Sequence, residues 1–166
     1  MKTVVLIGMP GTGKSTVGVL LAKTLGMDFV DTDILIQLRE KRTLQDIIQK
    51  SGYLSLREIE QEVVLENDYD SKVVATGGSI VYSAKSMARL KQAGKVIYLS
   101  CSISQLRNRI HNFDTRGIAA PLGQRLEDIA NERTALYEQY ADYTIDTSAN
   151  TPAAIVHDIL QIGLLK

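Results

Sequence analysis

The stretch Thr3-Val-Val-Leu-Ile-Gly8-Met-Pro-Gly-Thr-Gly13-Lys14-Ser15-Thr16 decides the fold. A β-branched, apolar run leads into Gly-x-x-x-x-Gly-Lys-Ser, after which Val17, Leu20, Leu21 and Leu25 recur at helical spacing. Strand, glycine turn and helix in that order make a phosphate cradle. The glycines let backbone N–H groups curl around an anion with no Cβ in the way, and the positive end of the following helix faces the same anion. Lys14 adds a full charge on a mobile stem, expected to stand exposed to the phosphates rather than packed. The Ser15 hydroxyl is a hard ligand for Mg²⁺ bridging outer phosphates. Gly11, Thr12, Gly13, Lys14, Ser15 and Thr16 are the nucleotide-binding candidates.

Outward from this stretch, β-branched runs over 28–31, 72–76, 95–100 and 143–146 alternate with stretches of helical period, as in an α/β domain with a mostly parallel sheet. Thr43 with Asp46, and Ser55 with Glu58, are read as capping boxes, and Gly52 and Gly94 lie where helices stop. The 166 residues, 45% of them hydrophobic, suit one domain over 1–166 with a sizeable core. Nineteen basic residues offset nineteen acidic ones, so no global field draws the chain to nucleic acid or an anionic membrane, and an anion site has to be local. The one cysteine, Cys101, excludes an internal disulfide and a thiolate zinc site and suits a reducing compartment; it is read as a small buried hydrophobe on a strand. No apolar run approaches the ~20 residues of a membrane span. A cytoplasmic protein acting as a monomer is expected. Segment 112–124, with Gly117, Pro121 and Gly123, has no period; a loop of that length in a compact domain is expected to be a mobile lid.

No Asn-Lys-x-Asp segment reads guanine, and the run over 72–76 ends in Thr76-Gly77-Gly78 with no carboxylate, which disfavours a GTPase and a motor or transporter ATPase. A small-molecule kinase using ATP fits better. Asp31 and Asp33, two apart at the end of the second strand, are expected to point to one side of the crevice where parallel sheets bind ligands. One could hold Mg²⁺ through water while the other takes the proton of an attacking hydroxyl; alternatively, one of them caps the helix expected from about Ile34. Arg133 falls in the middle of the apolar helical face formed by Leu126, Ile129, Leu136, Tyr137 and Tyr140, and a guanidinium aimed at a core needs an anion. Arg57 lies in the expected first turn of the helix capped by Ser55, where the macrodipole disfavours a cation, so it too calls for an anionic partner, either a ligand or Glu60 on its own helix face. Arg116 in the lid is placed to close over a transferring phosphate. Arg109 is a weaker candidate on the nucleotide side, Arg107 is read as a surface residue, and His111 and His157 have no catalytic or metal-ligand pattern around them.

In their order and spacing, Gly8 to Ser15, Asp31-Thr-Asp33, Arg57 with Glu60, Thr76-Gly77-Gly78, Arg116 and Arg133-Thr-Ala-Leu-Tyr137 resemble the shikimate kinase family over essentially the whole chain. The resemblance implies a P-loop NTPase-type three-layer sandwich with a five-stranded parallel sheet and a mobile lid. It also implies transfer of the ATP γ-phosphoryl group to a ring hydroxyl of shikimate, a small carboxylic acid bearing hydroxyls. By that likeness Asp33 holds substrate hydroxyls and acts as base, Asp31 supports Mg²⁺, and Arg57 and Arg133 grip the carboxylate. Gly77 and Gly78 approach the substrate through backbone, Arg109 and Pro152 sandwich adenine, and Arg116 closes with the lid. The chain departs from the family at Ser79, usually a third glycine beside the substrate, at Gly117-Ile118 after the lid arginine, at Tyr53, usually acidic, at Leu56, usually Phe, and at Gln37. An extra acceptor hydroxyl bonded by Ser79 would favour a different hydroxy acid or sugar acid, and a nucleotide-binding regulator without turnover is the reading from another class.

Overall fold

β1 (Thr3–Ile7) is buried along its whole length, which places it mid-sheet with both faces covered. The computed structural model describes residues 2–111 and 117–163. Its five strands run parallel in the order β2 (Asp28–Asp31), β3 (Lys72–Ala75), β1, β4 (Gly94–Ser100), β5 (Tyr143–Asp146). Alternate side chains go to opposite cores: Val5, Ile7, Val96 and Tyr98 to one, Val4, Leu6, Ile97 and Leu99 to the other. Helices α1 (Lys14–Leu25) and α8 (Pro152–Gln161) cover the second face through Val17, Leu21, Ile155 and Ile159. Helices α4 (Tyr53–Glu66), α5 (Ala84–Ala93), α6 (Ile103–Arg109) and α7 (Leu126–Tyr140) cover the first through Val64, Leu90, Leu106 and Ile129. The expected three layers are therefore present. A third cluster of Ile36, Ile47, Leu56, Val63 and Ala119 packs α2 (Thr32–Glu40) and α3 (Leu44–Ser51) against α4.

The five expected strands all form, with Thr76 falling just past β3 and Gly94 opening β4. The Thr43–Asp46 capping box is present, and Gly52 and Gly94 end α3 and α5. Three local expectations fail. Helix α2 begins at Thr32, not near Ile34, because Asp31 caps it by accepting the Asp33 N–H at 3.0 Å. Ser55 is not a cap: Gly52, with φ 86°, ends α3 and at once opens α4, so Ser55 is the third residue of that helix and Arg57 the fifth. The macrodipole argument for Arg57 lapses with that boundary. Cys101 lies one residue beyond β4 and is only half-buried. Among the described residues no helix is long and apolar enough to cross a membrane.

Ile47 is fully buried in the third cluster. Ile47→Ala should lower the unfolding free energy by ~2–5 kcal/mol in urea titrations, and a loss under about 1 kcal/mol would show that this cluster is not a packed core.

Candidate active site

The loop after β1 turns through three glycines at positive φ: Gly8 (146°), Gly11 (86°) and Gly13 (92°). At Gly11 a Cβ would come within 2.8 Å of Ile110, so the absence of a side chain lets the end of α6 close against the loop. Gly13 occupies the N-cap of α1 in left-handed conformation and brings no side-chain cap, leaving the helix's first N–H groups to an outside acceptor. Ser15 and Thr16 are exposed there, whereas Thr12 is buried, with its N–H and hydroxyl both donating to the Met9 carbonyl at 3.3 and 3.0 Å. Lys14 departs from expectation. It is 8% exposed, folded back so that its ammonium donates to the Gly8 and Met9 carbonyls at 2.8 and 2.9 Å. The charge is held by the loop's own carbonyls, which desolvate it less than an apolar wall would.

Lys14, Asp33, Glu60, Gly77, Ser79 and Arg133 line one cavity of about 160 Å³. Asp33 does not get there by strand alternation, since it already belongs to the first turn of α2, and Asp31 does not line the cavity. Asp31 accepts from the Ser15 hydroxyl at 2.6 Å with one oxygen and caps α2 with the other, which ties the phosphate loop to α2. At Gly77 a Cβ would collide with Glu60 Oε1 and lie 2.9 Å from Asp33 Oδ1, so any side chain there would displace the two carboxylates that approach it. The Gly77 N–H donates to the Thr32 hydroxyl and the Gly78 carbonyl accepts from the Tyr137 hydroxyl, so both groups are already engaged within the protein. A Cβ on Gly78 would come 2.8 Å from Pro10.

Glu60 has more of a part than the sequence suggested, where it stood only as a possible partner for Arg57. It is 3% exposed, and burial above all, with the nearby Asp33 charge, pushes its carboxyl up to about 7 against the opposing pull of Ser79, Arg133 and Arg57. Its bonded partner is the Ser79 hydroxyl, which donates to Glu60 Oε2. The Ser79 proton is thus committed to Glu60, while its oxygen lone pairs remain able to accept a hydrogen bond on the side that lines the cavity.

The two inward arginines converge on one atom. The Ala119 carbonyl accepts from Arg57 Nε and Nη2 at 3.2 and 2.9 Å and from Arg133 Nη2 at 2.8 Å. Three donors share two lone pairs, and Arg133 Nε, deeply buried, has no acceptor at all. Among the described residues neither guanidinium is ion-paired to a carboxylate. The arrangement has spare N–H capacity for an oxygen-rich anion. Tyr53, another of the departures, stacks with its ring centroid 5.0 Å from Arg57 Cζ.

Arg109 is pinned by the Thr147 carbonyl at 2.6 Å, on the loop that leads to Pro152 at the start of α8. Arg107 pairs with Glu127 on the surface, as expected. Arg116 lies outside the described residues, together with 112–115; the following Gly117 donates its N–H to Gln45 Oε1 at 3.1 Å, and Ala119 is buried in the third cluster.

The raised Glu60 carboxyl sets a pH dependence. A carboxyl that moves from 4.5 unfolded to about 7 folded binds its proton more tightly in the native state, so its contribution is complete below 4.5 and is lost as pH rises towards 7. Glu60→Gln cannot ionise and should gain ~3 kcal/mol relative to the unaltered protein between about pH 5 and about pH 8, read from urea unfolding at both. A difference that stays constant with pH would contradict a buried, titrating Glu60.

A family model described as shikimate kinase matches residues 10–163. The shikimate kinase of Paracidovorax citrulli strain AAC00-1 is 35% identical over 167 residues, covering 96% of this chain and 91% of the relative. That of Thermodesulfovibrio yellowstonii is 36% identical over 164 residues, covering 97% and 94%. The solved shikimate kinase from Acinetobacter baumannii in complex with shikimate superposes with a TM-score of 0.88 at 32% identity, covering 100% of this chain and 96% of the other. A glycine loop joined to α2 through Ser15 and Asp31, a paired-arginine pocket beside it and full-length likeness agree: the chain belongs to the shikimate kinase family.

Proposed function

We propose that the protein transfers the γ-phosphoryl group of ATP to a ring hydroxyl of shikimate, giving shikimate 3-phosphate and ADP. The observation that carries this reading is Arg133, with an unfilled buried donor, at the cavity that also holds Asp33 and Lys14, joined through the shared Ala119 carbonyl to Arg57, which lines the neighbouring cavity with Glu60 and Ser79. A planar guanidinium fork matches a carboxylate bidentately, and two of them select an acid over a neutral polyol.

Asp33 takes the proton of the attacking hydroxyl as its oxygen bonds to the γ-phosphorus and the bond to the β-phosphate oxygen breaks. Lys14, released from the Gly8 and Met9 carbonyls, and the N–H groups of Gly11 and of Gly13 to Thr16 hold the phosphates, while Thr12, its N–H and hydroxyl given to the Met9 carbonyl, holds the shape of the loop. The Ser15 hydroxyl and Asp31 carboxylate are hard oxygen donors 2.6 Å apart, and this donor set fits Mg²⁺, which takes most of its ligands from phosphate and water. Bound Mg²⁺ would neutralise charge building on the outer phosphates. Arg109 and Pro152 flank adenine, Arg116 neutralises the transferring group, and Gly77, Gly78 and Ser79 shape the acid's side of the cavity, Ser79 through Glu60. One chain carries every residue of this scheme, so a monomer in the cytoplasm suffices.

Product analysis by phosphorus NMR, with ATP and shikimate, a panel of other hydroxy acids and neutral sugars, tests the assignment. Shikimate 3-phosphate should accumulate and the sugars should be inert; no turnover of any carboxylic acid would overturn it. Asp33→Asn, isosteric but unable to take a proton, should lower kcat by a factor on the order of 10² or more while ATP affinity stays within about threefold. A loss under about threefold would leave Asp33 no part in proton transfer.

A further inference from the structure

Two cations drawn to one carbonyl oxygen repel each other, and something has to hold them in register. Arg57 Cζ lies 3.8 Å from the centroid of the Tyr82 ring, and Arg133 Cζ lies 5.5 Å from the same centroid. Tyr82 ends the short 3₁₀ turn Ile80–Tyr82 that follows directly on Ser79, so its backbone is set by the turn that also delivers the Ser79 hydroxyl to Glu60. At its far end the Tyr82 hydroxyl donates to Glu132, the neighbour of Arg133 on α7. The ring is tethered at both ends, with both guanidiniums within 5.5 Å of its centroid.

We infer that Tyr82 is a positioning residue that holds Arg57 and Arg133 as a clamp for the acceptor's carboxylate by offering both guanidiniums its aromatic face. An aromatic face and a carboxylate would serve differently here. A protein carboxylate would occupy the N–H edges of the guanidiniums and compete with the incoming acid for the same donors. A ring engages the guanidinium through its π-system and leaves the N–H edge free for bidentate bonding. Tyr53 supplies a second, weaker face to Arg57 at 5.0 Å. The inference rests on the reading that the acceptor is a carboxylic acid.

Turnover of shikimate by the unaltered protein is measured first, and its failure would remove that reading whatever Tyr82 does. Steady-state kinetics then compare Tyr82→Phe, which keeps the face and loses the hydroxyl, with Tyr82→Leu, which loses both; circular dichroism reports folding. Tyr82→Leu should raise KM for shikimate about five- to twentyfold, with kcat and the KM for ATP within about twofold, and Tyr82→Phe should stay within about twofold throughout. Calorimetric binding of shikimate to the same proteins should show the same ranking without turnover. Tyr53→Leu should raise the acid's KM about two- to threefold. If Tyr82→Leu does not fold, a tetrafluorinated phenylalanine at position 82 keeps the shape while draining the ring of electron density, and it should weaken shikimate relative to Tyr82→Phe. The inference is overturned if Tyr82→Leu or the fluorinated ring leaves acid affinity unchanged, if Tyr82→Phe is as damaging as Tyr82→Leu, or if the KM values for acid and ATP rise together.

Discussion

A guanidinium with 1% of its surface exposed governs the architecture around the cavity. Burying the charge of Arg133 on α7 costs several kcal/mol unless acceptors and polarisable groups replace water. Part of that replacement comes from the Ala119 carbonyl, whose residue is locked into the third hydrophobic cluster. The docked position of 117–120 and the packing of α2, α3 and α4 are thereby coupled to a buried charge on α7. The compensation is incomplete at Arg133 Nε, a buried donor with no acceptor.

The negative side is arranged around Gly77, whose missing Cβ leaves room for the Glu60 and Asp33 carboxylates to approach the same side of one residue. Two ionised carboxylates so close would repel, and burial resolves the conflict by lifting Glu60 to about 7. Ser79, a residue with a hydroxyl where the family usually has bare backbone, is absorbed by this arrangement as a hydrogen-bond donor to Glu60. A hydroxyl beside the cavity thus supports a buried carboxyl.

The nucleotide side is held by short-range geometry. Positive φ at Gly8, Gly11 and Gly13, an N-cap without a side chain and a serine bonded to the cap of the next helix arise within one strand–turn–helix–strand unit. The acid side is assembled from α2, α4, the 3₁₀ turn, 117–120 and α7, with partners as far as 62 residues apart. The first half is rigid by local rules; the second depends on packing.

The sequence alone determined the glycine loop, all five strands to within a residue and the Thr43 cap, because each follows from a short β-branched run or a motif spanning a few residues. It also identified Arg133 as a charge inside an apolar face, since helical spacing is local. It misplaced the start of α4, because Gly52 closes one helix and opens the next, an economy that capping patterns do not foresee. Only the tertiary structure decided that Lys14 folds onto its own loop, that Ser79 serves Glu60, and that Arg57 and Arg133 share one carbonyl beside the Tyr82 ring. Those outcomes answer the problem of compensating charges removed from water, and the groups that do so are chosen by proximity in space, which no local period or spacing encodes.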